Sequence, residues 1–255
     1  MRHFFTILSH EIRALLFNPG TYVAAVLFLG VMGFIFAGIL DAYSRTPQET
    51  PPAAVFFQLF WIPVFFMVPL LTMKCLAEER RLGTLETLLT TPVTTTEVVL
   101  GKFGAAYLLY LLLWGSTLGF HYVLYSYAGD VRFLDPGPLI GGYAFVALSG
   151  LLFIAVGVLA SALTRSQAVA GILCFTVLFA LVIGLRFLGE ASLLQQETLS
   201  PVKSTLESLQ IFGHLEDFTN GVIDTRQVFF YLTGAILCLI FSILGVEAKL
   251  LHGDR

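Results

Sequence analysis

The chain has 255 residues, of which 57% are hydrophobic and only 12% charged, and its mean hydropathy of +0.85 excludes an ordinary soluble domain. The formal net charge is -3, and no basic cluster exceeds the Arg80, Arg81 pair, which excludes a nucleic-acid partner. Cys75, Cys174 and Cys238 lie in or beside apolar runs. Their odd number and wide spacing fit neither a disulfide framework nor a metal site, so they are expected to be packing residues.

In chain order, residues 1–18 place Phe4, Phe5, Leu8, Ile12, Leu15 and Leu16 on one side, with Arg2, His10, Glu11 and Arg13 largely opposite. That pattern predicts a helix in the membrane interface. A cleaved signal peptide is the competing reading, but the stretch has no compact apolar centre and the next run is itself long enough to span. Asn18, Pro19 and Gly20 break the helix, and 21–40 is a charge-free run of bilayer length. A second span is predicted over 55–73, kinked by Pro63 and Pro69. The third, 103–125, contains Trp114 and ends in an interfacial belt of Tyr122, Tyr125 and Tyr127.

The fourth span, 139–163, carries Gly141, Gly142, Ala147, Gly150, Ala155, Gly157 and Ala160. Small residues permit close helix approach, so this span is predicted to pack inside the bundle. The fifth runs over 168–188, with Arg186 able to snorkel from its end, and the sixth over 228–246. In the long polar interval between them, Leu206, Leu209, Phe212, Leu215, Phe218 and Val222 recur at three- and four-residue steps. Amphipathic helices on or dipping into the far side of the membrane follow. His121 is expected to make a structural hydrogen bond.

The most hydrophilic stretch is 78–102, EERRLGTLETLLTTPVTTTEVVLGK. Leu82, Leu85, Leu88 and Leu89 fall at helical spacing among Glu78, Glu79, Arg80, Arg81 and Glu86, predicting a short amphipathic helix that Pro92 ends. Thr94 and Glu97 then form a capping box that opens the next helix through Val98 and Val99. The set Glu79, Arg80, Gly83, Thr84, Leu85, Glu86, Leu88, Leu89, Pro92, Val93, Glu97, Gly101 and Lys102 resembles the cytoplasmic loop of ABC-2 type transporter permeases. A later segment, HLEDFTNGVIDTRQVFFYL from His214 to Leu232, together with Asn18, Pro19, Gly20 and Tyr22, is similar to the gliding-motility-associated branch of that family.

The resemblance implies one all-α transmembrane domain over 1–255, with six spans, an N-terminal interfacial helix, a coupling helix between spans two and three, and outer amphipathic helices between spans five and six. It implies that Glu79, Arg80, Gly83, Thr84, Leu85, Glu86, Leu88, Leu89 and Pro92 face an ABC ATPase subunit, that a second permease copy completes the transporter, and that an unidentified substrate is exported. No cofactor is implied. Neither a GxxxxGK[ST] phosphate loop nor an HExxH or GxSxG motif occurs, so ATP hydrolysis is expected of a partner chain and the permease is expected to be non-catalytic. With 78–102 inside, Arg2, Arg13, Lys74, Arg80, Arg81, Lys102, Arg165, Lys249 and Arg255 are cytoplasmic, against Arg45, Arg132, Arg186, Lys203 and Arg226 outside. This bias predicts both termini in the cytoplasm, and the resemblance implies a bacterial inner-membrane protein. A membrane scaffold that anchors an ATPase in a motility or envelope complex, without moving a solute, is the alternative.

Overall fold

The computed structural model describes residues 2–46, 50–83, 93–128, 135–190 and 208–252, and among them every regular element is helical. They are α1 (Arg2–Phe17), α2 (Pro19–Arg45), α3 (Pro52–Gln58), α4 (Trp61–Thr72), α5 (Ala77–Leu82), α6 (Thr95–Ser116), α7 (Leu118–Ala128), α8 (Pro136–Leu163), α9 (Gln167–Phe179), a π-helical turn (Ala180–Gly184), α10 (Leu185–Glu190), α11 (Ile211–Thr219) and α12 (Thr225–His252). Among the described residues, six stretches are long and apolar enough to cross a bilayer: Pro19–Arg45, Trp61–Leu82, Thr95–Ser126, Pro136–Leu163, Gln167–Leu188 and Thr225–Ala248. An apolar solvent leaves backbone amides no partner but their own helix, which is why the spans are helical.

Several boundaries depart from those expected. The second span begins at Trp61, not near 55, because α3 and α4 are separated at Leu59 and Phe60, where the Phe60 N–H turns back to the Phe57 carbonyl at 3.0 Å. A helix continued through this point would set the Pro63 ring against the Leu59 carbonyl. The break places Pro63 in the first turn of α4, leaving Pro69 alone in its interior. The helix that carries span three begins at Thr95, well before 103, because the Thr94 capping box opens it there, and Lys102 inside it is paired within the protein. Thr117 interrupts it, donating to the Trp114 carbonyl at 2.6 Å and lying 2.7 Å from the Tyr143 hydroxyl.

Helix α8 is the hub, packed by α12, α9, α11, α6 and α4. Its glycines permit this. A Cβ at Gly142 would enter the Phe57 ring, at Gly150 the Tyr110 ring, at Gly157 the Thr72 side chain, and at Gly141 the Phe218 carbonyl of α11. The half of the bundle away from α5 is filled by Phe36, Phe56, Phe57, Tyr143 and His121 in edge-on and stacked pairs. His121 is buried there, and its Nε2 has no hydrogen-bond partner among the described residues, so the bond expected of it is not made through that atom. Packing among aromatic rings takes its place.

Helix α11 buries Ile211, His214, Leu215 and Phe218 against α8 and α3, so its apolar face meets protein rather than lipid. Val222 lies beyond its end and is exposed. Arg186 stands over the Phe212 ring, 5.0 Å from its centroid, a cation–π contact at the end of span five. Cys75 and Cys174 are buried and Cys238 half-buried, all as free thiols.

Candidate functional site

The polar chemistry of the chain gathers where α1, α5, the start of α6 and the end of α8 meet. Helix α6 opens as its sequence dictates: Thr94 Oγ1 accepts from the Glu97 N–H at 3.3 Å, while Glu97 Oε2 accepts from the Thr94 N–H at 3.3 Å. Two turns further on, Gly101 and Lys102 act as a unit. A Cβ at Gly101 would lie 2.7 Å from Ile7 Cγ2, so only glycine lets α1 cross α6 this closely. Lys102, 4% exposed, then reaches Glu11 Oε1 of α1 and Glu79 Oε1 of α5, each at 2.7 Å. Such charge-assisted bonds are strong, and they offset the cost of burying an ammonium group.

Helix α5 is held from a second side. Its N-cap residue, Leu76, has no side-chain acceptor, and the hydroxyl of Ser161 on α8 supplies one, accepting from the Leu76 and Ala77 N–H groups at 2.9 and 3.0 Å. Arg80 donates to the Ala162 carbonyl. Gly83, at φ 69, then leaves the helix through the left-handed region that glycine tolerates best. The single amphipathic helix expected from Glu78 to Leu89 is therefore cut at Gly83.

Of the residues predicted to face an ATPase, Glu79 and Arg80 are brought together here, each with a partner inside the chain, and Gly83 marks the exit. Thr84, Leu85, Glu86, Leu88, Leu89 and Pro92 lie outside the described residues. Sequence reasoning missed Glu11, Ser161 and Ala162. The sequence pattern puts Glu11 on the polar side of α1, whereas Phe4, Ile7, Leu8, Glu11, Ile12 and Leu15 are the part-buried positions and Phe5 and Phe17 are exposed. The signal available was the four-residue step between Ile7 and Glu11, which aligns an acid with an apolar row.

Six membrane-length helices around a small-residue hub, with buried ion pairs at one end, define a multi-pass helical membrane subunit. The family model for ABC-2 family transporter proteins matches residues 6–248, and the chain belongs to that family. It is the transmembrane permease component of an ABC transporter, a family whose members work with an ABC ATPase subunit. No curated protein is significantly similar to it.

Proposed function

We propose that this permease receives ATP-driven motion from a separate ATPase through residues 83–92 and uses it to export a substrate. The observation that carries this reading is the double anchoring of α5. Glu79 is tied through Lys102 to α6 and α1, and the start of α5 is tied through Ser161 to α8. A push on the segment after Gly83 would reach spans two, three and four together. Glu79 and Arg80 serve in this proposal as anchors of the segment, while Leu85, Leu88 and Leu89 seat in an apolar groove of the ATPase, with Thr84 and Glu86 at its rim and Pro92 closing the elbow. The unit is one transmembrane domain over 1–255, paired with a second permease copy in a bacterial inner membrane, both termini in the cytoplasm. The likeness of its late segment to the gliding-motility branch supports placing it there.

Co-purification with the ATPase tests the proposal. Leu88→Asp should leave the six spans inserted and weaken ATPase binding by about 2 kcal/mol or more, roughly thirtyfold in affinity. Glu86→Lys should weaken it less. Full ATPase binding and substrate-stimulated hydrolysis in both variants would remove 83–92 from the mechanism.

A further inference from the structure

Two cavities flank the start of α2 along one seam, one bordered by the Lys102 ion pairs and both outside residues 83–92. The first, of about 210 Å³, opens beneath α1 and is lined by Glu11, Asn18, Lys74, Glu78, Glu79 and Lys102. Lys102 is already engaged by Glu11 and Glu79. Among the described residues, Lys74 and Glu78 have no ion-pair or hydrogen-bond partner. With the His10 imidazole of the lining counted as neutral, three carboxylates against two ammonium groups leave one negative charge in excess. The second cavity, of about 320 Å³, is lined only by apolar side chains, among them Leu27, Phe28, Val31 and Phe66.

The two lie one helical turn apart. Leu70 lines the apolar cavity and Lys74, four residues on, the polar one, while on α2 the apolar lining starts at Ala24, four residues after Gly20. A Cβ at Gly20 would lie 4.0 Å from Lys74 Nζ, which sets that amine against the first turn of α2, at the junction between them. An unpaired cation at the mouth of an apolar slot, with carboxylates beyond it, is complementary to a dipolar headgroup on a hydrocarbon chain.

We propose that this seam binds one phosphatidylethanolamine molecule from the leaflet on the α1 side. The phosphate diester lies against Lys74, the primary ammonium donates to Glu78 and to the carboxylates of Glu11 and Glu79, and one acyl chain fills the slot between α2 and α4. Headgroup chemistry sets the preference. An anionic headgroup meets the excess negative charge, and a quaternary ammonium has no N–H to give the carboxylates. A soluble phosphoamine would leave the apolar slot empty.

The full-length permease, in nanodiscs of equal phosphatidylethanolamine, phosphatidylcholine and phosphatidylglycerol with matched chains, provides the test, with retained lipids counted by native mass spectrometry. Retained ethanolamine lipid should exceed each of the others by about tenfold. Lys74→Gln and Glu78→Gln should each move the ratio toward the bulk composition, and Lys74→Arg should preserve it. Val31→Trp, which fills the slot without altering a charge, should release the lipid. A wild-type ratio equal to the bulk, or enrichment of phosphatidylglycerol, would overturn the proposal. So would a disulfide between two copies at Leu27→Cys, because the seam would then be covered by a second permease. None of these readings requires the ATPase, so this proposal and the coupling proposal fail separately.

Discussion

At the scale of single residues, the burial of Lys102 decides which side of its ion pairs carries the energy. Its side chain is 4% exposed, while those of Glu11 and Glu79 are 19% and 25% exposed, so water can hydrate orphaned carboxylates better than an orphaned ammonium. Joint replacement Glu11→Gln with Glu79→Gln should therefore destabilise the protein by about 3–5 kcal/mol, and Lys102→Met by less. Denaturant unfolding in detergent would rank the two. His214 offers a second test. Its Nε2 lies 3.0 Å from the Ser208 carbonyl, which can only accept, so Nε2 carries the proton and Nδ1 accepts from the Tyr231 hydroxyl at 3.0 Å. Burial holds its pKa below the ordinary 6.5, against the opposing pull of the Ser208 carbonyl, Asp217 and Asp224. The unfolded chain then binds the extra proton first, so stability present above 6.5 is lost as pH falls toward the folded value. Thermal unfolding between about pH 7.5 and 5 should show a falling midpoint, and His214→Phe should flatten that dependence.

At the scale of elements, space rather than propensity controls α8. Gly141→Ala drives a methyl group into the Phe218 backbone carbonyl, which cannot rotate away, and should cost about 1–3 kcal/mol by displacing α11. Gly38→Ala, on α2, meets nothing within 4 Å, and should be neutral or stabilise by about 0.4–1 kcal/mol. Unfolding of the two variants side by side measures the difference. The capping box of α6 was legible in the sequence because its partners are three residues apart and both are backbone-local. The contacts that hold α5 were not, since Lys102 lies 23 residues from Glu79 and Ser161 lies 85 from Leu76, and no spacing rule reaches that far. Periodicity likewise located the fifth span but not its π-helical turn, in which the Leu185 N–H bonds to the Ala180 carbonyl. That turn adds one residue to a helical repeat without changing the apolar pattern.

At the scale of the whole molecule, hydropathy made the number of spans legible, because a bilayer imposes a minimum apolar length on any crossing helix. Their ends were less so: the third long helix starts at its Thr94 cap, well before the apolar run at 103, and a proline clash moved span two. The proposed orientation predicts that, with Cys75, Cys174 and Cys238 replaced, an impermeant thiol reagent reaches Asn220→Cys from outside the cell and Thr96→Cys only after permeabilisation. The reverse labelling would invert the orientation. The hub position of α8 has a further consequence for how the protein is made. About ninety residues lie between Leu163 and His252, so at about 5–20 residues per second the ribosome needs roughly 4–18 s to deliver α9, α11 and α12 after α8 is complete. During that interval the Gly141 face of α8 meant for α11 and the face that α12 will cover lie open to lipid, and the newborn chain is most exposed then to quality-control proteases that recognise unassembled membrane helices.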